Sequence, residues 1–302
     1  FPAGGRPIGM VDTPSATAGA LSTPDPTVLR ADADPADALS WFESKQYGVA
    51  PVRTDAGDVI GYVPAAALAA AETDGSLTGE LRDHAEPFAH ATVLGPETDF
   101  GEVVDALARE PFCFVADGGA VEGVPDGVLT RTDLNSPAAF VHCYGALFAF
   151  ETRLRALVAE SDADWKGALH TEQVERIEER VAVSDSEAHG PLHYTSLTML
   201  AQVAQRTASL RESFGFDSEN EAKERLSGLV ELRNDVCHSR DLVHARGTEL
   251  FEGRDAVALA DAYGLLVDLV DRLSGVTEGG AAGVPRAEGE TPPPVWDGSA
   301  AT

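Results

Sequence analysis

Lysine is nearly absent from this chain, since Lys45, Lys166 and Lys223 are the only three among 22 basic residues, against 50 acidic ones. The acidic residues are spread along the whole chain and form no separate acidic tail, and the formal net charge at pH 7 is −28. This pattern is typical of a halophilic protein from a salt-rich cytoplasm. The overall acidity therefore does not identify a partner.

Cysteine and long apolar runs are also scarce. Cys113, Cys143 and Cys237 are odd in number and widely spaced, which favours reduced thiols over disulfides or a zinc site. The mainly apolar stretch 137–150 ends at Glu151, well short of the roughly 20 residues that a membrane span needs. No signal-peptide pattern is visible, and we expect a cytoplasmic protein.

Several chemical motifs are missing as well. The sequence has no phosphate-cradling Walker loop, no nucleophile elbow and no pair of closely spaced cysteines. His189 and His193 stand four residues apart, but Gly190 and Pro191 break any helix between them, so we expect no metal site. The remaining candidates for function lie in a repeat and in one helix.

The length of 302 residues and a hydrophobic content of 43% are enough for two domains with real cores. We predict a flexible leader over 1–26, a repeated α/β segment over 27–136, a helical segment over 137–275 and a disordered tail over 276–302. The predicted fold class is α+β, with tandem βαββα repeats followed by an all-α bundle of four to five helices.

The segment from Thr27 to Leu134 repeats one pattern of strands and helices. The first half predicts strands at 28–30, 48–52 and 59–63 and helices at 36–45 and 65–71. The second half predicts strands at 91–94, 112–115 and 127–130 and a helix at 100–109. A unit of this size must bury its sheet against its partner, so the two halves should pack together.

Both halves resemble CBS domains, and together they resemble one Bateman module. The similarity is clearest in Tyr47-Gly48-Val49-Ala50-Pro51-Val52 and in Gly127-Val128-Leu129-Thr130-Arg131-Thr132-Asp133-Leu134. The resemblance implies a regulatory adenine nucleotide, AMP, ADP or ATP, or another adenosyl ligand. It gives Asp133 the ribose hydroxyls, Thr130 the phosphate, and Arg131 an additional phosphate contact.

The first half departs from this pattern, because Pro64 and Ala67 occupy the positions of the threonine and the aspartate. Neither side chain can accept a hydrogen bond from ribose, so we expect at most one adenosyl site per chain. The alternative is that Thr130 and Asp133 only cap the helix that follows them.

The helical segment predicts five helices, at 138–160, 171–183, 193–213, 219–237 and 255–273. The fourth has a capping-box pattern, Ser218-Glu219-Asn220-Glu221, at its start. Its apolar stripe is predicted to run through Ala222, Leu226 and Leu229 to Arg233. A guanidinium on the core face needs a carboxylate, a phosphate or a subunit interface to meet it.

The sequence Arg233-Asn234-x-x-x-His238 resembles the Arg-x4-6-His motif of HEPN domains. The segment with Glu151 before Leu154-Arg155 resembles the first helix of that family. In HEPN ribonucleases the arginine and histidine of two subunits meet and cleave RNA without metal. The resemblance implies that His238 moves protons, Arg233 holds the phosphorane charge and Asn234 orients the phosphate or His238.

One geometric point opposes this scheme. Five residues at roughly 100° each place His238 about 140° around an ideal helix from Arg233. The helix must therefore end near Cys237, or the two groups must serve different halves of a dimer. The alternative is that Arg233 is a structural ion-pair residue and His238 a cation favoured at the helix C-terminus.

Two functional hypotheses follow. The leading one is a homodimeric, metal-independent endoribonuclease regulated by an adenine nucleotide bound to the CBS pair. The second is a non-catalytic nucleotide sensor whose helical segment binds RNA or a protein partner.

Overall fold

The computed structural model describes residues 16–119, 121, 123–184, 190–244 and 255–280. Within these ranges the chain has a mixed α+β fold, with two small sheets followed by helices. The first fifteen residues of the predicted leader and residues 281–302 of the predicted tail lie outside the described residues.

The described part of the predicted leader is structured, which corrects the prediction of a flexible segment to residue 26. It contains α1 (Ala18–Leu21) and β1 (Thr23–Pro24). Ala16, Ala18 and Leu21 are buried, and β1 pairs antiparallel with the last strand of the second repeat. The low periodicity of this stretch gave no signal for a strand of two residues.

The first repeat contains β2 (Leu29–Arg30), α2 (Pro35–Lys45), β3 (Val49–Arg53), β4 (Val59–Pro64) and α3 (Ala65–Thr73). The second contains β5 (Val93–Leu94), α4 (Phe100–Arg109), β6 (Phe112–Val115) and β7 (Gly127–Thr130), then a 3-10 turn over Arg131–Asn135. In each repeat the first strand is parallel to the second, which is antiparallel to the third. The predicted repeat is therefore present.

The two sheets pack face to face through a small aromatic cluster. Val49 and Tyr62 from the first sheet bury against Phe114 and Val128 from the second. The rings of Tyr62 and Phe114 lie 5.2 Å apart, edge to face. Each sheet thus covers the apolar face of the other, as the repeat predicted.

The helical segment contains α5 (Pro137–Glu160), α6 (Thr171–Ala182), α7 (Leu197–Arg206), α8 (Ala208–Phe214), α9 (Glu219–Cys237) and α10 (Ala256–Gly280). The helix predicted at 193–213 is divided, because Pro191–Tyr194 form a 3-10 turn and Thr207 is extended between α7 and α8. Arg211 donates to the carbonyl of Gln205 at 2.7 Å and so satisfies the end of α7.

Helix α4 joins the second repeat to the helical segment. It packs against α10 and against its own sheet, and Phe100, Val103, Val104 and Leu107 are all fully buried or nearly so. One buried cluster therefore runs from Ala16 to Leu273, whereas the first repeat keeps a separate small core around Phe42 and Leu68. The chain changes from mixed strands and helices to helices alone near residue 136, but the same buried cluster includes residues on both sides of this position.

Among the helices within the described ranges, none combines the length and the apolar character needed to cross a membrane.

Candidate functional site

The closing motif of the second repeat forms a compact polar turn. Strand β7 ends at Thr130, and the 3-10 turn Arg131–Asn135 begins directly after it. The backbone N–H and the hydroxyl of Thr130 both donate to Oδ2 of Asp133, at 2.7 and 2.8 Å. In the described part of the chain Oδ1 of Asp133 accepts no hydrogen bond and is not fully buried. One carboxylate oxygen is therefore used by the cap, and the other forms no hydrogen bond with the described residues.

The surroundings of Asp133 disfavour its charged form. Partial burial raises the pKa of the Asp133 carboxyl, and the two hydrogen bonds from Thr130 only partly oppose this effect. A ribose hydroxyl that donates to Oδ1 would stabilise the carboxylate and offset part of this desolvation. The turn is thus chemically suited to a neutral hydroxyl donor.

Arg131 is engaged elsewhere. Its Nε donates to the carbonyl of Leu107 at 2.8 Å, and its Nη2 lies 3.4 Å from the carbonyl of Ala108. These carbonyls belong to the last turn of α4, which favours a cation. The guanidinium therefore fastens β7 to α4, and a phosphate contact would require it to leave these two acceptors.

The equivalent turn of the first repeat, after β4, has no hydroxyl or carboxylate at the positions of Thr130 and Asp133. Pro64 stands directly before α3 and provides no side-chain hydrogen bond to it. Ala67, at the position equivalent to Asp133, has no acceptor. The first repeat therefore lacks the side-chain cap that Thr130 and Asp133 form in the second.

Helix α9 begins as its sequence predicts. The Ser218 hydroxyl accepts from the N–H of Glu221 at 3.1 Å, while the Glu221 carboxylate accepts from the N–H of Asp217 at 2.9 Å. The predicted apolar stripe is wrong at its last step. Leu232 and Val236 are buried after Leu229, and Arg233 is only half-buried beside them. The core follows a step of three from Leu229, so Arg233 lies at the edge of the stripe.

Arg233 and Asn234 interact with each other. Nη1 of Arg233 donates to Oδ1 of Asn234 at 3.0 Å. In the described part of the chain, no carboxylate forms an ion pair with Arg233. The Asn234 side chain therefore contacts Arg233, and its backbone carbonyl accepts from the N–H of His238 at 3.0 Å.

Helix α9 ends at Cys237, the place that the proposed motif requires. His238 is its C-cap and is exposed. Ser239 has a φ of +51°, and its N–H donates to Val236, while the N–H of Arg240 donates to Asp235 at 2.9 Å. These two bonds form a Schellman motif, which satisfies the last carbonyls of the helix. The helix therefore ends before His238, so the turn of an ideal helix from Arg233 does not fix the position of the imidazole.

A groove with a volume of about 1560 Å³ runs between α9 and α10, on the flank of α9 that faces away from Arg233. Seven of its lining residues are acidic: Glu221, Glu224, Glu231, Asp235, Asp241, Asp261 and Asp268. Arg225, Arg240 and His244 are its basic members. This excess of carboxylates disfavours binding of a nucleic-acid backbone along that flank.

Asn135 was not identified from the sequence. Its Nδ2 donates to the carbonyl of Val243 at 2.7 Å, and its Oδ1 accepts from the N–H of Val243 at 3.0 Å. Val243 lies five residues beyond His238 and is buried. The turn that carries Asp133 is therefore hydrogen-bonded to the segment that follows α9. No sequence signal pointed to this contact, because its acceptor and donor are backbone groups 108 positions away.

Within the described ranges, no three side chains of His, Cys, Asp or Glu are grouped so that they could hold a metal ion.

Comparison with known proteins gives only distant structural similarity. No family model matches the chain, and no curated protein is significantly similar to it. Several CBS-domain proteins are among the solved structures that match. One is a hemolysin-like protein containing a CBS domain from Oenococcus oeni PSU, with 20% identity over 40% of this chain and 88% of that one, at a TM-score of 0.32.

Two further matches were solved with nucleotides. CBSX2, a CBS-pair protein from Arabidopsis thaliana, was solved in complex with AMP and has 22% identity over 39% of this chain and 92% of that one, at a TM-score of 0.33. The CBS domain of a bacterial CNNM/CorC family Mg²⁺ transporter was solved in complex with ATP. It has 17% identity over 42% of this chain and 86% of that one, at a TM-score of 0.32.

The exposure of the three cysteines provides a test of the end of α9. Cys113 and Cys143 are buried, and burial raises the pKa of the Cys113 thiol to about 12, whereas Cys237 is exposed. We predict that a water-soluble thiol reagent modifies one cysteine rapidly in the native protein, and that Cys237→Ser abolishes this fast phase. Mass spectrometry of the labelled peptide identifies the site. Rapid labelling of Cys113 or Cys143 would contradict the described packing.

Proposed function

We propose that this protein is an adenine-nucleotide-sensing regulator whose second repeat binds the nucleotide through its ribose. The observation that carries the proposal is the state of Asp133, which has one oxygen that accepts both hydrogen bonds from Thr130 and one oxygen that accepts none from the described residues. A carboxylate fixed in this way is a directed acceptor for a ribose hydroxyl. The helical segment then acts on an RNA or protein partner in response to the nucleotide.

The contacts of Thr130 and Arg131 narrow the proposed ligand. A phosphate at Thr130 would have to replace Asp133 as the acceptor of the hydrogen bond from the Thr130 hydroxyl. A phosphate at Arg131 would have to replace the carbonyls of Leu107 and Ala108 as acceptors from the guanidinium. The ribose contact needs no such exchange. We therefore propose that recognition depends on the adenosyl group and changes little with the number of phosphates.

Calorimetric titration with AMP, ADP and ATP tests this site. We expect one strong site per chain, since Pro64 and Ala67 provide no acceptor in the first repeat. Asp133→Ala should lower the affinity about 5- to 150-fold, because a lost hydrogen bond that leaves its partner unpaired costs about 1–3 kcal/mol.

Three control variants isolate the ribose contact. Asp34→Ala removes a helix-capping aspartate of the first repeat, which accepts from Ala36 at 2.8 Å, and should leave the affinity unchanged. Pro64→Ala and Ala67→Gly should also have little effect. Two equal sites per chain, or an affinity indifferent to Asp133→Ala, would show that Thr130 and Asp133 serve only as a helix cap.

A metal-independent endoribonuclease is the second candidate. The observation that favours it is the end of α9 at Cys237, which leaves His238 exposed five residues after Arg233, whose side chain is bonded to Asn234. In this mechanism His238 takes the proton from a ribose 2′-hydroxyl or protonates the leaving oxygen. Arg233 holds the charge of the phosphorane. Asn234, which is bonded to Arg233, positions that guanidinium.

Incubation of the protein with total RNA in high KCl and EDTA tests this candidate. Arg233→Ala and His238→Ala should each abolish cleavage while changing the free energy of unfolding by no more than about 1–2 kcal/mol. Arg240→Ala removes a neighbouring exposed basic group outside the motif and should retain activity. Cleavage that persists in both motif variants would exclude the nuclease. If the wild type cleaves no RNA, either with or without AMP, the nuclease is excluded and the non-catalytic regulator is the remaining function.

Both functions are proposed for a homodimer; in the nuclease, the arginine and histidine of two subunits would line one cleft. We place the dimer contact on α5, where Val141, Tyr144 and Phe148 are 48%, 53% and 56% exposed along one face. The stretch 137–150 contains no Asp, Glu, Lys or Arg. A second copy of a chain with a net charge of −28 meets the least repulsion on such a surface.

Light scattering coupled to gel filtration tests the dimer. We expect twice the chain mass of 31.7 kDa for the wild type, and a monomer for Phe148→Glu, since the two-fold axis would bring two new charges together. Val183→Glu introduces the same charge at a position that is 82% exposed on the α6 side and should remain dimeric. A wild-type monomer, or a dimer unaffected by Phe148→Glu, would rule out this interface.

A further inference from the structure

We propose that the Asn135–Val243 hydrogen-bond pair transmits nucleotide binding at Asp133 to the end of α9. This inference rests on the nucleotide site proposed above and concerns its regulation. It assigns to Asn135 a role as a coupling residue between the second repeat and the segment 238–244. Asn135 itself does not contact the nucleotide.

In the Asn135–Val243 pair, both polar atoms of the amide side chain and both backbone groups of Val243 form hydrogen bonds. Asn135 gives one donor and one acceptor to the two backbone groups of a single residue, at 2.7 and 3.0 Å. Exchanging the oxygen and the nitrogen of the amide would place donor against donor and acceptor against acceptor, so only one orientation of Asn135 satisfies both bonds. The pair is partly buried and joins positions 108 residues apart.

On one side, the pair is attached directly to the proposed ligand site. Asn135 lies two residues after Asp133 in the same 3-10 turn, and the N–H of Ser136 closes that turn on the carbonyl of Asp133 at 3.1 Å. Leu134 between them is fully buried. A ligand that holds Asp133 in place therefore also restricts Asn135.

On the other side, the pair fixes the segment that contains His238. Residues 237–241 are exposed, and Leu242 and Val243 return to the core with exposures of 0% and 1%. The segment is thus held at the helix end by the Schellman motif and at Val243 by Asn135. Between these points Ser239 has a φ of +51°, a conformation that non-glycine residues seldom adopt. Release of Val243 would allow Ser239 to relax and the segment to leave α9.

These contacts define two states of the same segment. In one, the amide of Asn135 is bonded to Val243; in the other, both groups are bonded to water and the segment is released. A nucleotide that binds the first state more tightly shifts the population toward it. A variant that favours the released state therefore weakens nucleotide binding in proportion to the population of the bonded state that it removes. Coupling between two sites is typically about 5- to 150-fold.

Hydrogen–deuterium exchange on the full chain, with AMP as the probe, tests the proposal. In the wild type, AMP at 100 times its dissociation constant should slow exchange at the amide of Val243, by up to about 100-fold where opening and binding exclude each other. Asn135→Ala should abolish this slowing while calorimetry still detects AMP. Asn135→Asp keeps the acceptor for the N–H of Val243 but loses the donor, and should give an intermediate effect.

A matched control separates coupling from general destabilisation. Gln202 is also a partly buried amide that donates to a distant backbone carbonyl, that of Ala168 at 3.1 Å. Gln202→Ala should preserve the response of Val243 to AMP.

Each remaining outcome counts against the proposal in a distinct way. If calorimetry shows AMP binding but exchange at Val243 does not change in the wild type, the nucleotide site stands and the coupling is excluded. If the response persists in both Asn135 variants, coupling passes through another contact and Asn135 has no such role. If AMP and its relatives do not bind at all, the proposed nucleotide site fails and this proposal fails with it.

Discussion

The structure depends on the burial of α4 on two sides. One face of this helix covers the sheet of the second repeat, and the other packs against α10. At the N-terminal end of α4, the Phe100 ring lies 4.9 Å from that of Tyr263 and 4.8 Å from that of His142. Nε2 of His142 is 2.7 Å from the Tyr263 hydroxyl, and burial raises the pKa of Tyr263. The second repeat and the helical segment therefore share one core, while the first repeat packs mainly on itself.

Four arginines of the chain share one kind of contact in this fold. Several arginines donate to backbone carbonyls: Arg131 to Leu107, Arg153 to Val270, Arg206 to Ala168 and Arg211 to Gln205. A carbonyl acceptor carries no net charge, so salt screens such a bond much less than an exposed ion pair. These four arginines thus connect segments of the chain through uncharged acceptors in spite of the acidic excess.

The shared core of the second repeat and the helical segment determines where Asp133 and His238 lie. Asp133 lies at the junction between the second repeat and the helical segment, and the turn that contains it contacts the backbone after α9. Asp133 and His238 belong to different halves of the chain, but each is connected to the Asn135–Val243 pair by only a few residues. This proximity provides a physical basis for proposing a sensor and an effector in one protein.

The sequence by itself determined the order of strands and helices in the two repeats, the bounds of α4 and α9, the end of α9 at Cys237 and the lack of an acceptor at Pro64 and Ala67. Caps, turns and apolar periodicity are local, so neighbouring residues specify them. Only the tertiary structure decided that residues 16–24 join a sheet, that Leu232 replaces Arg233 on the buried stripe, and that Arg131 and Asn135 bind backbone groups of α4 and Val243. Every residue type carries the same carbonyl and N–H, so a contact with a distant backbone leaves no trace in the sequence of its partner.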